Sequence, residues 1–170
     1  DRGAQDRFGT SVAISGNYAI VGALDSTYDG SAYIFERDST GTWSQVKKLV
    51  ASDIQVNDSF GSSVSISGNY AIVGAYKEAH DASGTSNSSS DITTDPDYKF
   101  DAGSAYIFER NTYGTWNEVQ KIVASNRASG DFFGTSVAIS GNYAIVGAYS
   151  VGNQVGLAYV FERNTDGSWN

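Results

Sequence analysis

The sequence predicts an all-β chain made of three similar four-stranded antiparallel units, on three observations. One block recurs almost unchanged: FGTSVAISGNYAIVGA from Phe8 to Ala23, FGSSVSISGNYAIVGA from Phe60 to Ala75, and FGTSVAISGNYAIVGA from Phe133 to Ala148. Its apolar residues alternate, or run in short stretches between turns, as strands do. No window keeps apolar residues at i, i+3, i+4 and i+7 over the length of a helix. Repetition at this spacing fixes the architecture first, because each unit must bury its faces against its neighbours.

The elements follow in order. The first strand of a unit covers about Thr10 to Ser15, with Val12 and Ile14 on one face and Ser11, Ala13 and Ser15 on the other. Gly16-Asn17 supplies a two-residue hairpin turn, since both residues tolerate positive φ. The second strand, Tyr18 to Ala23, and the third, Ala32 to Arg37, are apolar on both faces and so read as covered on both sides. The third recurs as SAYIFER from Ser104 to Arg110 and LAYVFER from Leu157 to Arg163. Polar turns starting at Asp38, Asn111 and Asn164 close a further hairpin, and each is followed by a tryptophan: Trp43, Trp116 and Trp169. The fourth strand runs from Trp43 to about Ala51 and mixes Val46, Leu49 and Val50 with Gln45, Lys47 and Lys48, as an outer edge should.

The units divide the chain into residues 1–52, 53–125 and 126–170. The second is longer, and its whole excess lies between Gly74 and Gly103, as an insertion at 76–102. The third stops at Trp169-Asn170, before a fourth strand. Radially stacked sheets of a β-propeller-like array suit two-sided inner strands and small Ser and Ala residues at a crowded centre, with stacked sheets or a linear solenoid as the alternative.

Composition narrows the function. The formal charge of −8 leaves no basic footprint for nucleic acid or an anionic membrane surface. Cys is absent, which removes disulfides, thiolate metal sites and a thiol nucleophile. No stretch reaches the roughly 18 apolar residues of a membrane helix, so membrane insertion is not expected. Asp1 to Gln5 reads like the tail of a linker, as in a mature product or an excerpt of a longer protein.

Phe-Gly at the head of each copy and Gly-Ala further on resemble the two marks of the FG-GAP repeat of integrin-α-type β-propellers. Here they are Phe8-Gly9 with Gly22-Ala23, Phe60-Gly61 with Gly74-Ala75, and Phe133-Gly134 with Gly147-Ala148. Leu24, Tyr76 and Tyr149 stand where the family usually has Pro. The resemblance implies a seven-bladed propeller, as found in integrin heads, some lectins and domains beside secreted enzymes. Three blades cannot close a ring, so either more blades exist in a longer protein or several copies complement one another through open blade edges.

The resemblance also raises calcium, because family members that bind it carry Asp-x-Asp-x-Asp-Gly between the second and third strands. Asp25, Thr27 and Asp29, before Gly30, match this in part, with Thr for the middle acid. Acidic turn residues that merely solvate the loop are the competing reading. The third copy has lost the acids, and Asp91, Asp95, Asp97 and Asp101 are scattered through the insertion.

Other candidates are weaker. His80 lies in a Ser-rich loop beside Glu78 and Asp81, a poor clamp for a catalytic base. The periodic Tyr18, Tyr33 and their equivalents read as packing, leaving Tyr28, Tyr98 and Tyr113 as loop residues more open to a ligand. Glu36-Arg37, Glu109-Arg110 and Glu162-Arg163 read as repeated structural ion pairs. Asn57 and Asn87 fit the glycosylation pattern. The expectation is a non-enzymatic extracellular or cell-surface module that recognises a protein or glycan or builds a surface structure, with a carbohydrate-binding lectin and a self-assembling filament subunit as alternatives.

Overall fold

The structure, a computed structural model, describes residues 6–24, 30–53, 55–79, 99–150 and 155–170. Its described elements are eleven strands in three antiparallel sheets. Blade 1 has the order β1 (Phe8–Ser15), β2 (Tyr18–Ala23), β3 (Ser31–Arg37), β4 (Trp43–Leu49). Blade 2 repeats it with β5 (Phe60–Ser67), β6 (Tyr70–Ala75), β7 (Ser104–Arg110) and β8 (Trp116–Ile122). Blade 3 has β9 (Phe133–Ser140), β10 (Tyr143–Ala148) and β11 (Leu157–Glu162). The fold is all-β with propeller-like blades, and the three sheets do not close into a ring.

The first strand of each blade begins earlier than its alternation implies. Phe8 pairs with Ala23, but pairing slips before Ser11 meets Gly22. The bulge admits Phe-Gly into the strand, where strict alternation would end it. In the following turn Gly16 takes φ 57 and Asn17 stays out of the left-handed region, so the glycine alone meets the positive φ of a type II′ turn. The turn after the third strand is held by its first side chain: Asp38 Oδ1 accepts the N–H groups of Thr40 at 2.8 Å and Thr42 at 2.9 Å. Asn111 does the same for Tyr113 and Thr115, both at 3.0 Å.

The fourth strand ends at Leu49 rather than Ala51. In blade 3 it is begun and not completed: Arg163 bridges Trp169, and Glu162 and Asn170 exchange backbone hydrogen bonds of 2.8 and 3.1 Å.

Two cores hold the blades together, and they are the same core twice. Ile20, Ile34 and Leu49 on one face of blade 1 meet Phe60, Val64, Ile66 and Val73 of blade 2. Ile72, Ile107 and Ile122 on the equivalent face of blade 2 meet Phe133, Ile139 and Val146 of blade 3. Each blade therefore has a forward face that packs on the next blade and a rear face that packs on the one before. The inner strands are covered on both sides in blade 2 alone. In blade 1 the rear face is open, with Val12 and Ile14 each 67% exposed.

Small residues set the spacing. A Cβ added at Gly22 would overlap the carbonyl oxygen of Gly61, and one added at Gly74 that of Gly134. Serines on the first strands fasten the contact: Ser11 Oγ accepts Val64 N–H at 3.0 Å, and Ser63 Oγ donates to the Gly134 carbonyl at 2.7 Å. Burial of apolar area supplies the drive, and these bonds fix the register.

Candidate functional site

Several residues singled out from the sequence lie outside the described residues: Asp25, Thr27, Asp29, Tyr28, His80, Asn87, Asp91, Asp95, Asp97 and Tyr98. Among the described residues no three His, Cys, Asp or Glu side chains gather as metal ligands. Asn57 is exposed and takes φ 76 in the connection between blades 1 and 2. Tyr113 stands 92% exposed at the tip of the turn between β7 and β8. Asp101 sits in the turn before β7 with φ 51, and burial raises its carboxyl above the usual range against the opposing pull of Lys77.

What the fold does gather is a polar cluster under the root of the insertion. The chain leaves blade 2 at Ala79 and returns at Lys99, whose N–H donates to the Ala79 carbonyl at 2.8 Å. Gly103 N–H closes the root on the Glu78 carbonyl, also at 2.8 Å. The Glu78 side chain is fully buried there. It accepts a hydrogen bond from Ser104 Oγ at 2.5 Å, with Lys121 Nζ at 3.1 Å and Arg127 Nη2 at 3.4 Å.

Lys121 also bonds Asp53 at 2.6 Å, and Asp53 accepts the Tyr106 hydroxyl at 2.8 Å. Burial lifts the Tyr106 hydroxyl far above its ordinary value, so it stays a donor. Nearby Asp58 accepts the Gln55 N–H at 2.6 Å, and its carboxyl is pushed up to about 7. Burial is the main cause, and repulsion from Glu78 adds to it against the Gln55 bond. Two cations thus face carboxylates that are bonded on several sides, which makes buried charge tolerable. The cluster clamps a loop root, and it offers no unengaged nucleophile.

Beside this root lies an aromatic group. Phe132 stacks on Tyr149 with ring centres 4.9 Å apart and planes 6° from parallel, and Tyr76 leans on Phe132 at 6.1 Å. Lys77 Nζ sits 5.7 Å over the Tyr76 ring. Tyr149 remains 58% exposed, and Phe100 across the root is also exposed. A planar apolar face in water, edged by hydroxyls and an ammonium, is a surface on which sugar rings or aromatic side chains stack. From the sequence alone, Tyr28, Tyr98 and Tyr113 are the loop aromatics that stand out instead. The signal of the stack is there too: Tyr76 and Tyr149 replace Leu24 of the first copy, and Phe132 replaces Arg7 and Ser59.

The periodic aromatics that lie between blades pack against one another, while Trp43 and Tyr143 are exposed. Tyr18 meets Trp116 edge-on at 5.9 Å, and Tyr70 meets Trp169 at 5.8 Å. The Glu-Arg pairs work differently from the expectation. Neighbours along a strand point to opposite faces, so the two residues serve different contacts. Tyr18 donates to Glu36 of its own blade at 2.5 Å while Arg110 of the next blade donates to the Tyr18 hydroxyl at 2.6 Å. Arg163 likewise sits 5.0 Å over the Tyr70 ring and 3.9 Å from Glu109. Arg110 and Arg163 thus each bridge to the preceding blade.

The family model of the FG-GAP repeat matches residues 1–35, 43–108 and 116–161. The chain belongs to the FG-GAP repeat family. The two marks of an FG-GAP repeat are therefore one contact: the Gly-Ala of a blade lies against the Phe-Gly of the next, as Gly22 does against Gly61 and Gly74 against Gly134. No curated protein matches this FG-GAP chain. Among the described residues no helix is long and apolar enough to cross a membrane.

Proposed function

We propose that this chain is a non-enzymatic module of an extracellular or cell-surface protein, presenting the loop end of its blades to a protein or glycan partner. The observation that carries the reading is the stack of half-buried Phe132 on exposed Tyr149 beside the clamped root of the insertion. Rigid aromatic faces give contact area at little cost in side-chain entropy, and a buried ionic cluster fixes where the chain leaves the blade at Ala79 and rejoins it at Lys99. The ionisable groups brought together there are engaged with one another, which supports a binding rather than a catalytic role.

Carbohydrate recognition is the second reading, and the stack favours it over a flat protein epitope. The experiment is binding of the purified chain to a glycan array and to a panel of cell-surface proteins, repeated with Tyr149→Ala. Selective binding lost in Tyr149→Ala, with an unchanged melting temperature, is the expected result. Binding that survives the substitution removes the stack from the site, and no selective binding on either panel overturns the reading.

A further inference from the structure

The tryptophan that follows the third strand of a blade has backbone groups that its own sheet does not use. Arg163 and Trp169 lie opposite each other, but the hydrogen bonds fall on their neighbours, Glu162 with Asn170 and Asn164 with Ser168. The N–H and carbonyl of Trp169 therefore turn outward from the sheet. Gln120 of blade 2 meets both: its Oε1 accepts the Trp169 N–H at 2.7 Å and its Nε2 donates to the Trp169 carbonyl at 2.8 Å. A carboxamide can do this because it carries an acceptor and a donor side by side.

Blade 2 repeats the geometry, and blade 1 lacks the carboxamide. Trp116 lies opposite Arg110, whose own N–H turns away to the Asn69 carbonyl at 2.8 Å. Lys47 takes the place of Gln120, paired with Ile34 as Gln120 is with Ile107. An ammonium only donates. It suits the Trp116 carbonyl and leaves the Trp116 N–H, which has no acceptor among the described residues. Trp116 is 1% exposed, and a shielded backbone donor without an acceptor is rare. Lys47 is exposed and forms no ion pair among the described residues. Both residues line a cleft of about 360 Å³ between β4 and β8, walled also by Leu49, Ser52, Phe108 and Glu118. Glu118 is turned to Ser52, whose N–H and hydroxyl it accepts at 2.8 Å each. The indole N–H of Trp116 is buried without a partner as well, but so is that of Trp169, so the backbone donor is what sets this cleft apart.

We propose that the cleft between β4 and β8 takes a glutamate side chain from an extended acidic segment of a protein partner, its carboxylate accepting from the Trp116 N–H and from Lys47 Nζ. A carboxylate brings two acceptor oxygens and the charge opposite to that of Lys47. Gln120 shows that a group at the end of a flexible stem of this length reaches the tryptophan backbone from outside its sheet. The cleft belongs to the outer edge of the blades and is independent of recognition at the loop end.

Amide NMR of the purified chain at low salt tests the proposal, with acetyl-Glu-Glu-Glu-amide as the probe and acetyl-Gln-Gln-Gln-amide as its neutral counterpart. The Trp116 amide is expected to shift downfield and saturate with the Glu peptide and to stay in place with the Gln peptide. Lys47→Gln gives the cleft the side chain that bridges its counterpart between blades 2 and 3. It is expected to bind the Glu peptide about tenfold more weakly and to melt about 2–4 °C higher. Lys47→Ala removes the cation without supplying an acceptor, and is expected to weaken binding with no rise in melting temperature. Circular dichroism checks that both variants fold. A Trp116 amide that the Glu peptide leaves unmoved overturns the proposal, as does a Gln peptide that binds equally well. Lys47→Gln that binds like the wild type, or melts no higher, overturns it too.

Discussion

Gly74 is held to glycine by an atom of another blade. A Cβ there would overlap the Gly134 carbonyl oxygen and Ser63 Oγ, and neither can retreat without opening the contact between blades 2 and 3. Gly74→Ala is expected to cost about 1–3 kcal/mol in denaturant unfolding, the range for overpacking a tight site. Asp58 gives a pH dependence with a definite sign. Its carboxyl rises from 3.8 to about 7 on folding, so between those values the folded chain holds a proton that the unfolded chain releases. The resulting stability is full below the unfolded value and is lost as pH rises through the folded one. Wild-type stability is therefore expected to fall between about pH 4 and pH 7, with about 4 kcal/mol as the full contribution of a three-unit shift. Asp58→Asn keeps an acceptor for Gln55 and is expected to flatten that slope in urea melts at several pH values. Equal slopes in the two proteins would assign the effect to other groups.

At the level of elements, the insertion is hung on a hydrogen bond and not on its own length. With Lys99 N–H on the Ala79 carbonyl, replacing 80–98 by Asn-Gly makes the root a four-residue β-turn. Loop length enters stability only logarithmically, so the shorter closure is expected to raise the unfolding free energy by about 2 kcal/mol at most. A large loss would mean that the inserted residues carry part of the core. Strands and turns were legible in the sequence because they repeat: period-two alternation, Gly16 in its turn and Asp38 in its cap all recur. The bulge at Phe8 was not, because a slip in register leaves no mark in hydrophobic pattern. Neither was the root cluster, for Glu78 and Arg127 occupy positions held by Ser26 or Val151 and by Ile54 in other copies. They meet only through the path of separate loops. The arginine of each Glu-Arg pair was seen as periodic, but its partner lies one blade back, a relation that spacing along one strand does not contain.

For the whole molecule, stability is set by which blades lie side by side. Among the described blades, interface contacts run between neighbours in sequence, β1 and β2 with β5, then β5 and β6 with β9. Energy in such an array is mainly a sum over adjacent units. Blade 2 is the one with a neighbour on each side, and Ile72, Val73 and Ile107 within it are wholly shielded from solvent. Deuterium labelling of the isolated chain should therefore record a gradient, with amides of β6 and β7 the last to exchange and those of the two outer blades escaping earlier through local opening. Three units nearly identical in sequence would then differ severalfold in lifetime solely by rank in the row.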